Sequence, residues 1–186
     1  MDRALRLPLW SSLVTRTTVI TAMTLTLALL SGCGGADSES DRQASSGAAQ
    51  VVSADSLREA SSEGTTPIYW AGEQEETELE LSQPDKNRTY VRYLSGDAEA
   101  GDKRADFLTV STYAQPNAVT SLRRQGKRSG GTITRAPGNG TVYFNRTNPK
   151  SVYLAYPGTP VEIEVFDPSF KRALRLVESG QVVAVD

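Results

Sequence analysis

Hydrophobic and polar positions fall into three successive patterns along the chain. Thr17 to Leu30 is an uncharged, mainly apolar run behind Arg3, Arg6 and Arg16, the basic-then-apolar order of an export signal. At about 14 residues it is shorter than the roughly 20 that cross a bilayer stably, so it predicts a leader rather than a permanent span. From Gly34 to Gly64 the chain is rich in Ser, Ala, Gly, Asp and Glu and has no aromatic residue. Too little apolar surface is available there to offset the entropy of ordering, so residues 34–64 are expected to form a disordered polar tether. Short alternating runs then take over, and residues 65–186 are expected to fold as one domain.

Thr77 to Leu81 alternates polar and apolar, as a strand does when one face is buried and the other wet. Tyr90–Leu94, Phe107–Thr112, Gly140–Phe144, Ser151–Tyr156 and Val161–Val165 are rich in β-branched and aromatic residues and predict further strands. Turn chemistry separates them at Pro84-Asp85-Lys86-Asn87, Pro137-Gly138-Asn139-Gly140, Thr147-Asn148-Pro149 and Pro157-Gly158-Thr159-Pro160. Such short linkers leave no room for crossover helices, which makes the strands they join antiparallel neighbours. Two helices are predicted. The first runs from Asn117 to about Gln125 and buries Ala118, Val119 and Leu122. The second starts with Asp167 as cap and Pro168 as first helical residue, places Phe170, Ala173, Leu174 and Val177 on one face, and ends at Gly180. Gln181–Val185 predicts a closing strand.

The two halves of this pattern can be aligned. Tyr90-Val91-Arg92-Tyr93 matches Tyr153-Leu154-Ala155-Tyr156, Leu108 and Val110 match Val161 and Ile163, and Pro116 and Leu122 match Pro168 and Leu174. Gly96–Asp106 is then an insertion in the first half. The expected fold is α+β: a mainly antiparallel sheet with two helices packed on one face, in which a strand-hairpin-helix unit recurs if the match reflects a duplication.

Composition narrows the chemistry. The chain contains no histidine and a single cysteine, Cys33, which removes the usual general base, imidazole metal sites, thiol nucleophiles within the domain and any internal disulfide. Cys33 ends the sequence Leu30-Ser31-Gly32-Cys33 directly after the apolar run. This resembles the bacterial lipobox and implies a diacylglyceryl group, with acyl chains such as palmitate, on the Cys33 sulfur. Residues 1–33 therefore read as a lipoprotein signal peptide, and the mature chain as anchored in the cell membrane on its extracytoplasmic face. From Thr65 onward acidic and basic residues balance, so overall charge gives no reason to expect nucleic acid.

Among candidate site residues, Tyr90, Tyr93, Tyr153 and Tyr156 stand out as a possible binding surface. Alternation faces Tyr90 oppositely to Tyr93, and Tyr153 oppositely to Tyr156, so some rings must point away from the helices. Glu73, Glu75, Glu76, Glu78 and Glu80 read as a solvated strand edge rather than a cation site. Arg123, Arg124, Lys127 and Arg128 read as cations complementing a helix C-terminus. Asp97, Asp102 and Asp106 are the least implausible acids, in a loop that reads as solvated. No catalytic residue, metal ligand or cofactor is assigned.

Ile68-Tyr69-Trp70-Ala71-Gly72, Thr89 to Leu94, Ser151 to Gly158 and Val165-Phe166-Asp167-Pro168 together resemble a group of uncharacterised exported lipoproteins of high-GC Gram-positive (actinobacterial) bacteria. The resemblance covers roughly Pro67 to the end and implies a Gram-positive envelope address without an activity. The expected role is a lipid-anchored, non-catalytic binding or interaction module, with an envelope protein, glycan or lipid as partner. A carrier that shields a lipid or small apolar ligand between sheet and helices is the second expectation, and a carboxylate-based enzyme the third.

Overall fold

The computed structural model describes residues 47–147 and 149–186. The described residues all belong to one compact unit, Arg42–Asp186. Leu30, Ser31, Gly32 and Cys33 lie outside the described residues, as does the predicted export signal.

Among the described residues, ten strands and three α-helices follow in the order β1 (Gln50–Val52), α1 (Ala54–Glu63), β2 (Tyr69–Trp70), β3 (Thr77–Asp85), β4 (Arg88–Ser95), β5 (Thr109–Ala114), α2 (Ala118–Ser129), β6 (Thr132–Ala136), β7 (Gly140–Phe144), β8 (Ser151–Ala155), β9 (Val161–Phe166), α3 (Phe170–Glu178) and β10 (Val183–Ala184). Eight strands form one sheet, ordered β1-β3-β4-β5-β9-β8-β7-β6, and every pair in it is antiparallel. The fold is α+β with a mainly antiparallel sheet. β2 and β10 form a separate antiparallel pair.

The alternation seen in the sequence sets the two faces. Val161, Ile163 and Val165 of β9 are each fully buried, while Glu162, Glu164 and Phe166 between them are only partly so. Register carries the apolar face across the sheet: Leu81 lies opposite Val91, Val91 opposite Val110, Val110 opposite Val165, and Val165 opposite Val152. Leu57 of α1, Ala173, Leu176 and Val177 of α3, and Tyr69 and Trp70 of β2 complete this core. Each aliphatic side chain buried there contributes about 2 kcal/mol of transfer free energy. Because residues 47–186 hold this continuous core and pair their strands internally, the unit has what it needs to fold by itself.

Three features depart from the sequence-based expectation. First, the polar tether does not run to Gly64. Val51 and Val52 pair as β1 with Glu80 and Leu79, and Ser53 caps α1, its hydroxyl accepting a hydrogen bond from the Ser56 amide at 3.1 Å. Leu57, the one large apolar residue of that helix, is fully buried; a single anchor with a good cap orders a segment whose average composition is polar. Secondly, the helices do not share a face. α1 and α3 cover the face that carries Leu154, Ile163 and Val165, whereas α2 packs Ala118 and Leu122 on Tyr143 and Ala155 of the opposite face. β5 sits mid-sheet and β6 at the edge, so the chain must cross β9, β8 and β7 between them, and α2 is that crossover. Thirdly, Asp167 is not the cap of α3. Ser169 occupies that position, and Asp167 instead accepts the Ser169 amide at 2.7 Å and pairs with Arg172 at 3.2 Å. The closing strand is reduced to Val183–Ala184 and pairs with β2 outside the main sheet.

The strand order is consistent with two four-stranded meanders, β1-β3-β4-β5 and β6-β7-β8-β9, joined through β5 and β9. A two-fold axis between antiparallel neighbours would keep faces, so α2 and α3 on opposite faces lie outside any such symmetry.

Close packing of α2's end depends on Gly131. A Cβ there would collide with the Tyr143 ring and stand 2.9 Å from the Phe144 carbonyl oxygen. Gly131→Ala is expected to cost about 2 kcal/mol through overpacking, which for a unit of this size is a fall of roughly 5 °C in Tm in a thermal melt.

Candidate functional site

On the face opposite the main core, α2 covers only β6 to β9. The strip over β3, β4, β5 and the near side of β9 carries no helix. One cross-strand row there reads Ser82, Tyr90, Ser111, Glu164, Tyr153, Tyr143, and the adjacent row reads Glu80, Arg92, Thr109, Phe166. With the loop from Gly101 to Ala105 as a wall, the first row from Ser82 to Glu164 and the whole of the second line a groove of about 460 Å³, within the size range of small-ligand sites; Tyr153 and Tyr143 lie beyond its lining.

The wall is fixed by a buried ion pair. Glu80 is 1% exposed; its Oε1 accepts from Arg92 Nη1 at 2.9 Å and its Oε2 from the Gly101 amide at 2.6 Å. Arg92 also donates to the Arg104 carbonyl at 3.1 Å. The Arg92 and Arg104 guanidinium carbons lie 5.1 and 5.3 Å from the Phe107 ring centroid, within cation–π range. Arg104 in turn holds Asp102 at 2.7 Å and Asp97 at 3.3 Å, and its hydrogen bond to Asp102 keeps that carboxyl below its ordinary pKa. Glu80 therefore does not lie on a solvated face with Glu78, and the insertion is not a free loop. Desolvating Glu80 is tolerable because both its oxygens are met by donors.

The floor centres on Glu164. Tyr113 donates to its Oε2 at 2.9 Å and Tyr153 to its Oε1 at 3.2 Å. Burial first, and then the charge of Glu164, raise both phenols above their ordinary pKa, Tyr153 to about 12. Tyr90 meets Tyr113 edge to face with ring centroids 6.1 Å apart. Glu162, two residues along β9, has its pKa raised by burial and then by Glu164. Three phenol rings, two carboxylates and two serines thus share one partly open surface, with cations at the end near the loop.

The sequence-predicted tyrosines separate as alternation requires. Tyr90 and Tyr153 lie on the groove face. Tyr93 is 2% exposed on the core side, where its hydroxyl accepts the Ala71 amide at 2.7 Å, and burial raises its pKa. Tyr156 is half-buried on the core side and stacks on Tyr69, 6.1 Å between centroids at 12°. The structure thus brings one of the four, Tyr90, into the groove lining, sets Tyr153 on the same face against Glu164, and uses the other two in packing. Tyr113, Glu164, Arg92 and Phe166 were missed; the signal for them was the outward phase of Val161-Glu162-Ile163-Glu164-Val165-Phe166 and the position of Tyr113 after inward Val110 and Thr112.

A larger hollow, about 640 Å³, lies beside the start of α3 and is lined by Glu75, Glu76, Asp106, Asp167 and Arg172 among others. Its cation is already engaged, since Arg172 binds both Asp167 and Gln74, and Tyr93, Phe107 and Leu108 are among its other lining residues. The groove differs in holding a carboxylate, Glu164, between two phenols. Among the described residues no three His, Cys, Asp or Glu converge as a metal would require, and no helix is long and apolar enough to cross a membrane. No family model matches the chain, and no match was found among curated proteins or solved structures.

Two substitutions test the site's construction. Arg92→Leu strands Glu80 in a dry environment and is expected to cost about 3 kcal/mol, with faster hydrogen exchange at Gly101; Glu80→Leu combined with Arg92→Leu should cost less than Arg92→Leu alone. Glu162 is raised above its ordinary 4.5, so its ionisation favours the unfolded chain, and the stability present below pH 4.5 falls as pH climbs through the raised folded value. Glu162→Gln should therefore raise Tm at pH 7 and leave it unchanged below that window, read by melts across pH.

Proposed function

We propose that this protein is a lipid-anchored module of the bacterial cell envelope, held on the extracytoplasmic face of the membrane through Cys33, that binds a partner on its open sheet face and performs no chemistry on it. The observation that carries the reading is the half-face left without a helix and furnished instead with ordered tyrosines and carboxylates. An exposed sheet face serving only as packing surface would gain nothing from fixing Glu164 between two phenols. Tyrosines bring contact area at low entropic cost together with a hydroxyl, which suits a peptide or glycan. The lipobox residues Leu30, Ser31, Gly32 and Cys33 support the address, and the resemblance to actinobacterial exported lipoproteins supports a Gram-positive envelope. The absence of histidine from the chain supports a non-catalytic role. A lipid carrier has less behind it, because fully buried Val110, Val165, Leu154, Ile163 and Ala173 fill the space between sheet and α3.

Metabolic labelling with a fatty-acid analogue, combined with photo-crosslinking on intact cells, tests both parts. Wild-type protein should take up label, Cys33→Ser should lose it and leave the membrane fraction, and Tyr90→Ala should abolish a crosslinked adduct formed by wild type on the groove face. Unlabelled wild type with Cys33→Ser still membrane-bound removes the address. An adduct indifferent to Tyr90→Ala, or a stoichiometric lipid extracted from the purified protein, removes the proposed binding face.

A further inference from the structure

Charge is balanced over the domain but not within it. Gln50 to Asp106 carries 13 acidic and six basic residues, whereas Phe107 to Pro160 carries seven Lys and Arg and no Asp or Glu. Four of the seven, Arg123, Arg124, Lys127 and Arg128, are on α2, and all four are exposed. None forms an ion pair among the described residues, although Arg58, Arg88, Arg92, Arg104 and Arg172 each do.

Helix geometry gathers these cations on one side. With 3.6 residues per turn they span an arc of roughly 140°, opposite buried Ala118 and Leu122, and Gly126 lies about 60° beyond its Arg123 edge. A helix dipole accounts for Lys127 and Arg128 in the last turn, but its influence does not extend to Arg123 and Arg124. Arg123 with Lys127, and Arg124 with Arg128, are like-charge i,i+4 pairs, which destabilise a helix lacking a counter-charge. The neighbouring strand extends the patch. Ile133 of β6 is 40% exposed, and a Cβ on Gly126 would meet its side chain at 2.6 Å, so it borders the cationic face. Arg135, two residues on, is exposed on the same side of the sheet. Arg146 and Lys150, also exposed, lie in the β7–β8 connection, at the same end of the sheet as the start of β6, because Thr132 pairs with Phe144.

We infer that the outer face of α2 with Ile133 and Arg135 docks on an anionic phospholipid bilayer, its cations meeting headgroup phosphates and its isoleucine entering the interface. Basic residues around an apolar side chain on a convex helix are the requirements of an interfacial contact. A strand of nucleic acid would call for a groove and stacking rings, and the exposed residues of α2 and β6 include no aromatic one. The inference stands on charge placement and is independent of Cys33 and of the open sheet face.

Sedimentation of the unit Arg42–Asp186, which lacks the anchor, with vesicles tests it. Phosphatidylcholine vesicles with roughly one-third phosphatidylglycerol should bind the unit, pure phosphatidylcholine should not, and binding should weaken as salt rises from about 0.05 to 0.5 M. Arg123→Gln, Arg124→Gln, Lys127→Gln and Arg128→Gln together should weaken vesicle binding at least about tenfold, while Arg58→Gln, Lys86→Gln and Lys171→Gln together leave it unchanged. If the fourfold variant melts low, Arg123→Gln with Arg124→Gln alone, which spares the last helical turn, should still weaken binding. Equal binding to neutral vesicles, equal losses from the two sets of substitutions, or binding to soluble polyphosphate without binding to vesicles would overturn the inference.

Discussion

The pairing of β5 with β9 is the constraint on which the architecture rests. Six residue pairs, from Thr109 opposite Phe166 to Ala114 opposite Val161, join two meanders that are otherwise built from chain neighbours. Along that seam Val110 and Val165 bring the apolar surfaces of both halves into one stripe, fully buried on each side. α3 itself lies over β6, β8 and β9 of the second meander, with Ala173 and Val177 in the shared core. The same seam lays Ser111 beside Glu164 on the other face, so the groove floor exists only where the two meanders meet.

The two faces of the sheet have been resolved in different ways. One is dry, sealed by α1, α3 and the β2–β10 pair. The other is divided between α2 and a surface where polar groups satisfy one another: Glu80 with Arg92 and the Gly101 amide, Glu164 with two phenols. No buried side-chain polar atom among the described residues lacks a partner. Such networks give up little net stability when complete and hold side chains in single geometries, which is the property a recognition surface needs.

The positions of β3, β4, β5, β7, β8 and β9 were legible because alternation has one physical cause, a buried face against a wet one, as Val161 to Val165 shows; β1, β2 and β6 went unpredicted. The turns at Pro84-Asp85-Lys86-Asn87 and Pro157-Gly158 were equally plain. What composition concealed was the order around Ser53: averaged over 31 residues from Gly34 to Gly64 the segment is polar, yet Val51, Val52 and Leu57 suffice to dock its second half. Helix faces were not legible, since α2 and α3 have similar apolar stripes and only the sheet order reveals that one must cross over three strands. Of the groove lining, Tyr90 was readable from tyrosine phase. The rest depends on register across strands far apart in sequence, which brings Glu164 to Tyr113 and Tyr153, and on a loop whose docking turns Glu80 from surface to interior.

The long route that α2 takes from mid-sheet to edge also shapes how the chain reaches this state. Between Ala114 and Val161, which end up paired, lie 46 residues, and closing a loop of that length costs chain entropy before any of the seam's contacts repay it. Hairpins such as β3–β4 and β7–β8 close over a few residues and form early, leaving two half-built surfaces with apolar edges bared at β5 and β9. The slow event in assembly is then the meeting of those edges, and it is also the moment at which the chain is most open to pairing with another copy of itself.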